Sequence, residues 1–296
     1  MDYVVVSTLV TDNITLADEQ HIGNRMGGAG SYALCGIKLW TDSVVLVTGV
    51  GDDFSALYGS WFEDNGISME GLMIKDAHTA ISNVQYCMDG ERKETPQYGA
   101  AHYLKMEAAP EEIARFVHRA KGLYVFKDNN KEYWDKILQL KRDNHFKLMW
   151  EINASCCEPS FRAGICEIAR QVDIFSINQR ELCALFDVDQ WEDAMVQLSK
   201  WKISMLFIRL GARGAIIIHK DKKYVIPPAA GAVVEDVTGG GNSSSAGVLY
   251  GYCEGFDPCT CGLAGSVSAA FCIKQYGVPP IFSQQCRKEA EAYVKR

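Results

Sequence analysis

No apolar run in this chain approaches the roughly 20 consecutive residues that a membrane-spanning helix needs. No long run of basic residues occurs either, and the formal charge is −7 at pH 7. Nucleic acid and anionic membrane are therefore poor partners on electrostatic grounds. The stretch Met1-Asp2-Tyr3-Val4-Val5-Val6 lacks the basic start of a secretory signal and reads as a β-strand. Internal repeats, low-complexity tracts and a dividing linker are missing, so residues 1–296 are expected to form a single domain. The G-x-x-x-x-G-K-[ST] signature is absent, which excludes a P-loop. Gly28-Ala29-Gly30-Ser31-Tyr32-Ala33 loosely fits a dinucleotide fingerprint but does not directly follow the first strand, as that fold requires. Structural zinc spacings are lacking as well: Cys259 and Cys261 stand one residue apart and Cys156 and Cys157 are adjacent. The 11 cysteines fall mostly inside apolar segments (Cys35, Cys87, Cys166, Cys183, Cys253, Cys272). They are expected to be reduced core residues of a cytoplasmic protein.

What the chain does have is an alternation of short β-rich apolar runs with amphipathic helical segments. Strands are expected at 3–10, 43–48, 122–126, 146–152, 173–177 and 203–209, and helices at 28–40, 53–65, 131–142, 159–171 and 179–186. Such alternation implies the α/β class, a mostly parallel sheet with helices on both faces. Residues 12–21 and 80–95 read as strands of another kind, mixed polar and apolar, and the second contains Asp89-Gly90, a tight hairpin signal. Two such segments, distant in sequence, can pair into a small sheet that covers a site; two separate edge hairpins are the plain alternative. Near the end, 215–219 and 222–226 flank Lys220-Asp221 as a hairpin. Pro227-Pro228 follows, and two helices are expected at 241–254 and 257–276.

Between that hairpin and those helices lies Asp236-Val237-Thr238-Gly239-Gly240-Gly241-Asn242, followed at once by Ser243-Ser244-Ser245-Ala246-Gly247. Successive glycine N–H groups at a helix start cradle an anion, because unpaired donors and the helix dipole point the same way. A flexible turn is the bland alternative, but Thr238 before the glycines, the small polar helix after them and Asp236 upstream make the set more specific. It resembles the second signature of the ribokinase-like (phosphofructokinase-B) carbohydrate kinases, usually Asp-Thr-x-Gly-Ala-Gly-Asp. Other segments resemble that family in the right order. Gly27-Gly28-Ala29-Gly30 looks like its first glycine signature and Val47-Thr48-Gly49-Val50-Gly51-Asp52-Asp53-Phe54 like its Gly-x-Val-Gly-x-Asp segment. Gly90-Glu91-Arg92 is similar to its lid hairpin, Asn178-Gln179-Arg180-Glu181 to its Asn-x-x-Glu element, and Gly211-Ala212-Arg213-Gly214 to its Gly-x-x-Gly turn. The resemblance runs from about residue 3 to about residue 282.

The resemblance implies a three-layer α/β/α sandwich of about nine strands with a small β-sheet lid, formed by about 12–23 and 78–100. The acceptor would lie between sheet and lid, and ATP in a shallow groove at the carboxyl ends of the strands, as the rule for open α/β sheets also requires. On this pattern Gly239, Gly240 and Gly241 form an anion hole and Asn242 occupies the position of the catalytic base. Asp12 falls where the family aspartate grips sugar hydroxyls, a task that suits a carboxylate accepting charge-assisted hydrogen bonds; a turn residue beside Asn13 is its alternative reading. Gly27, Gly28, Tyr32 and Arg92 join it at the substrate. Asn178, Glu181, Arg209, Gly211, Gly214, Ala270 and Ile273 are placed at the nucleotide, with Glu181 acting indirectly on Mg2+. Asp236 and Thr238 are placed at a monovalent cation. The implied cofactors are ATP and Mg2+, with K+ as an optional third, and the implied partner is a small carbohydrate or nucleoside, bound by a monomer or homodimer.

Three departures mark this chain. Tyr32 stands where the family has a substrate-contacting asparagine, so an aromatic ring reshapes the acceptor pocket. Gly99-Ala100-Ala101 replaces a Gly-Ala-Asn loop. Asn242 replaces the proton-accepting aspartate, and an amide has no useful basicity. Loss of a positioned base costs about a hundred- to ten-thousandfold in rate, yet phosphoryl transfer rests mainly on positioning and electrostatics. Asparagine is a good N-cap, so the helix start is expected to hold and nucleotide affinity to survive. Three readings stay open: a slow small-molecule kinase, which is favoured; a kinase-like protein that binds sugar and nucleotide without turnover; and a laboratory variant with asparagine in place of aspartate.

Overall fold

In the computed structural model, which describes residues 1–88 and 92–295, the apolar runs become the strands of one large sheet. These are β1 (Tyr3–Val6), β4 (Val44–Gly51), β5 (Leu72–Asp76), β8 (Gly122–Lys127), β9 (Lys147–Ile152), β10 (Ile174–Asn178), β11 (Met205–Arg209), β12 (Ala215–His219) and β13 (Lys222–Ile226). Their order is β13-β12-β11-β10-β9-β8-β1-β4-β5. All neighbours are parallel except β11–β12 and β12–β13. A second, four-stranded sheet of order β3-β2-β6-β7 comprises β2 (Val10–Thr15), β3 (His21–Gly27), β6 (Ile81–Tyr86) and β7 (Arg92–Pro96).

Period-two alternation divides the core between the two faces of the large sheet. In β1, Val4 and Val6 join one apolar cluster, while Tyr3 and Val5 join the other. The first cluster is closed by α4 (Pro110–Ala114), α5 (Lys131–Asn144), α6 (Arg162–Ala169), α7 (Gln179–Phe186) and α8 (Trp191–Leu198). The second is closed by α1 (Ala29–Lys38), α2 (Phe54–Asp64), α9 (Gly240–Cys253) and α10 (Pro258–Cys272). Two further helices, α3 (Ala100–Met106) and α11 (Gln284–Val294), complete the set among the described residues. The expected three-layer α/β architecture with a small second sheet is thus what the chain forms.

The differences from the sequence reading have physical causes. The expected strand 3–10 is two elements, because β1 ends at Val6 and β2 begins at Val10 in the other sheet. The expected strand 12–21 is an antiparallel pair, β2 against β3, which reverses through a turn with Glu19 at φ 66. The two mixed segments do pair across the fold, β2 running parallel to β6 with Asp12 beside Ser82. The predicted Asp89-Gly90 turn, with Gly90 and Glu91 of the hairpin motif, lies outside the described residues. Cys87, expected in the core, is exposed just beyond the end of β6. Strand β5 and helices α3, α4, α8 and α11 carry weak or polar patterns and were not anticipated.

Candidate active site

The glycine segment ends in the left-handed turn that starts α9. Gly239 is its N-cap at φ 76, and no side chain caps this helix start. All three glycines are closely packed, and Gly239 is required by its positive φ as well. A Cβ on Gly239 would stand 2.0 Å from the Tyr32 ring, one on Gly240 2.9 Å from Ile273, and one on Gly241 2.5 Å from Arg209 Nη1. The Gly240 N–H donates to Val237 O at 3.2 Å. The N–H groups of Gly241 and Asn242 lie in the first turn, where helix geometry supplies no acceptor. Asn242 itself is the third residue of α9 and not the N-cap that its residue type predicts. Its side chain turns away from the helix end, donating through Nδ2 to Glu151 Oε1 at 3.0 Å and to Tyr124 Oη at 3.2 Å.

Asn242 and Gly239 line a cavity of about 740 Å³ between the carboxyl ends of β1 and β8 and the small sheet. Asp12, Gly28, Tyr32, Arg92 and Thr238 line it too, and Phe126, Tyr103 and Tyr133 give it an aromatic wall. Six of the residues singled out in the sequence therefore line the same cavity as Asn242. Gly27 sits behind Asp12, where a Cβ would fall 1.9 Å from Asp12 Oδ2; Gly28, at φ 89, lets the chain pass Thr8 O and begin α1. Asp12 projects from β2 with 6% of its surface exposed. Burial first, and then the neighbouring Glu94, push its carboxyl up to about 7, against the opposing pull of Arg92.

The small sheet reaches down to the segment before the glycines. Tyr86 Oη donates to Asp236 Oδ1 at 2.6 Å, and Arg92 Nη1 donates to Thr238 Oγ1 at 2.6 Å while its Nε pairs with Glu94 at 2.7 Å. Asp236 is buried. Its Oδ1 also takes the N–H and hydroxyl of Thr238 at 2.9 and 2.6 Å. Its Oδ2 is buried without a hydrogen-bond partner among the described residues. That orphaned carboxylate oxygen, beside the Thr238 hydroxyl, fits a bound cation.

A second cluster lies at the ends of β9, β10 and β11, and none of its members lines the cavity. Asn178 and Glu181 form a reciprocal capping box at the start of α7. Arg209, aligned with Asn178 across the β10–β11 ladder, places Nη1 2.7 Å from Glu151 Oε1 and Nη2 3.2 Å from Glu181 Oε2. Burial works against the guanidinium charge, but the two carboxylates outweigh it and hold its pKa above the ordinary value. Burial also raises the Glu181 carboxyl. Tyr124 donates to Glu151 Oε2 at 2.8 Å. The turn Gly211–Arg213 follows β11 with Gly211 at φ 61 and open space around its α-carbon, and Gly214 at φ 83 passes close to Ile226 O. Ile273 caps α10 and its carbonyl accepts the N–H groups of Glu235 and Asp236, tying Ala270 and Ile273 at the end of that helix to the glycine segment.

No group of three or more His, Cys, Asp or Glu side chains that could cage a metal ion exists among the described residues. No described helix is long and apolar enough to cross a membrane.

Glu151, Tyr124 and Tyr86 were missed at the level of sequence. The only signal for Glu151 is a lone carboxylate in the apolar strand segment Leu148-Met149-Trp150-Glu151-Ile152, where a buried charge requires a partner. Nothing in the local pattern says which.

Comparison with known proteins agrees with this layout. The profile of the pfkB family carbohydrate kinases matches residues 2–283. A nucleoside kinase of Methanocaldococcus jannaschii is 25% identical over 275 residues, spanning 85% of this chain and 80% of that one. The structure of a Burkholderia thailandensis nucleoside kinase in complex with inosine superposes with a TM-score of 0.76 at 19% identity, covering 99% of this chain and 96% of the other. A Vibrio cholerae fructokinase, solved with fructose, ADP and calcium, gives 0.77 at 17% identity, covering 99% of both chains. With its family profile, its sheet order and its glycine-started helix all in agreement, the chain belongs to the pfkB family of carbohydrate kinases, phosphotransferases that use an alcohol group as acceptor.

Proposed function

We propose that this protein transfers the terminal phosphoryl group of ATP to a hydroxyl of a nucleoside held in the 740 Å³ cavity. One observation carries the reading: the Asp12 carboxylate, the Gly239 turn and Asn242 line the same cavity as an aromatic wall of Phe126, Tyr103 and Tyr133. A carboxylate accepts two vicinal hydroxyls, and flat aromatic faces suit a nucleobase. The nucleoside kinases among its relatives support the same choice.

In this reading Asp12 grips two ribose hydroxyls, with Gly27 leaving room for its carboxylate and Gly28 and Tyr32 shaping the wall. Arg92 holds the small sheet down over them. The reacting hydroxyl then sits beside Asn242, and the free N–H groups at the start of α9 receive charge on the transferred phosphoryl. The rest of the nucleotide lies along the turn Gly211–Gly214, between Asn178 and Glu181 at the start of α7 and Ala270 and Ile273 at the end of α10. Glu181 steers the magnesium ion that accompanies the phosphates, and that ion supplies charge neutralisation there. Asp236 and Thr238 hold a monovalent cation such as K+. Asn242 lacks basicity, so the rate rests on positioning and on the cradle, which a loose phosphoryl-transfer transition state permits.

The test is ADP release with Mg-ATP across a panel of nucleosides and free sugars. Nucleoside-dependent release is expected, slow in turnover. Release with sugars alone overturns the acceptor assignment, and ligand binding with no release to any acceptor overturns turnover itself.

A further inference from the structure

Asn242 is read in isolation as a lost carboxylate, but a carboxylate lies directly behind it. Glu151 Oε1 stands 3.0 Å from Asn242 Nδ2. The same oxygen takes Arg209 Nη1 at 2.7 Å, and Oε2 takes the Tyr124 hydroxyl at 2.8 Å. Glu151 has 1% of its side chain exposed, so it does not reach the cavity. An ionised carboxylate accepts and never donates. The nitrogen of the Asn242 amide is therefore forced to face Glu151 and Tyr124. The amide oxygen occupies the opposite branch of that planar group, on a residue that lines the cavity.

We propose that Glu151 is a positioning residue: by holding the amide nitrogen of Asn242 it presents the amide oxygen to the cavity as a fixed acceptor for the substrate hydroxyl. This rests on the kinase reading above. The hydroxyl oxygen forms a bond to the γ-phosphorus of ATP, and the bond from that phosphorus to the bridging oxygen of the β-phosphate breaks. ADP leaves, and the hydroxyl proton goes to a non-bridging oxygen of the new phosphate ester. Asn242 orients the nucleophile without taking its proton. Arg209, wedged between Glu151 and Glu181, holds Glu151 in place.

The pairing makes an unusual statement about the obvious repair. Asn242→Asp sets two carboxylates against each other where a donor and an acceptor now meet. The exchange Glu151→Gln with Asn242→Asp instead swaps amide and carboxylate between the two positions and conserves net charge. Thermal unfolding and steady-state kinetics with Mg-ATP and a nucleoside panel are measured on the native protein, both single variants and the double variant. Asn242→Asp alone is expected to lower Tm and to raise kcat by less than about tenfold, whereas the double variant recovers Tm and raises kcat by about a hundredfold at similar acceptor KM, the lower range for a positioned base. A single variant that fails to fold while the double variant folds is the extreme form of the same result. Additive effects of the two substitutions on Tm, or Asn242→Asp matching the double variant in kcat, overturn the proposal. Calorimetry of the native protein with Mg-ADP decides the kinase reading separately: absence of binding removes that reading, while the Tm cycle still decides whether Glu151 and Asn242 act as a pair.

Discussion

Replacing Asp12 by asparagine should make this protein more stable and less able to bind its acceptor. The Asp12 carboxyl lies in β2, facing the cavity with 6% exposure, and is pushed from its ordinary 3.8 to about 7 by burial, then by Glu94, with Arg92 opposing and Asp236 adding a little. A carboxyl raised in the folded state binds its proton more tightly there than in the unfolded chain. Stability associated with it is therefore fully present below about pH 4 and is lost as pH rises toward 7. At about 1.4 kcal/mol per pH unit the full loss is roughly 4 kcal/mol. Asp12→Asn removes that penalty, so at pH 8 the variant should melt as much as about 8 °C above the native protein, taking roughly 2 °C per kcal/mol for a chain of this size. At pH 4 the two should melt together. Unfolding followed by circular dichroism from pH 4 to 8.5 tests this, and a Tm difference that does not change with pH refutes the reasoning. Function should move the other way. Hydrogen bonds to a charged acceptor are worth about 1.5–3 kcal/mol each, so acceptor KM in the variant should rise at least tenfold. On the proposed acceptor role of Asp12, acceptor KM in the native enzyme should climb about tenfold per pH unit below about pH 7, as its carboxylate is protonated.

Three other perturbations follow from the same contacts. Arg209→Met leaves Glu151 and Glu181 buried without their shared cation and should cost about 3–5 kcal/mol in chemical denaturation; a loss below about 1 kcal/mol would show that these ion pairs do not hold the cluster together. Tyr86→Phe removes the 2.6 Å bond from the small sheet to Asp236, and hydrogen exchange should speed up in β6 and β7 while β1 and β8 stay protected. Equal exchange in both proteins argues against that latch. Gly239→Ala demands a left-handed alanine, about 1–2 kcal/mol on its own, and drives a methyl group to 2.0 Å from the Tyr32 ring. Both Tm and kcat/KM should fall, and an unaltered kcat/KM would mean that the turn does not shape the reaction site.

The architecture was legible because it is written locally. Runs such as Tyr3–Val6 and Val44–Gly51 are buried on both faces, and helices such as Gln179–Phe186 carry their own capping signal in Asn178 and Glu181. Legibility failed where an element answers to its neighbours. The strand Leu72–Asp76 is a half-buried edge, and the β1–β2 break at Ser7-Thr8-Leu9 marks a passage between sheets that no periodicity records. The glycine segment was legible for a similar reason, since three adjacent glycines announce a close approach, although what crowds them (Tyr32, Ile273, Arg209) is a tertiary fact. Asn242 shows the limit of reading a site residue by residue. Its meaning depends on Glu151, which is 91 positions away and arrives only because the large sheet sets the end of β9 beneath the start of α9. Taken alone, position 242 is an amide without useful basicity. Taken with its surroundings, the cluster keeps a carboxylate, a guanidinium between two acids, and a donor facing an acceptor at each contact. The relevant chemical question is therefore at which of the two positions the charge sits, and exchanging amide for carboxylate between 151 and 242 moves it from one to the other without changing anything else in the cluster's composition.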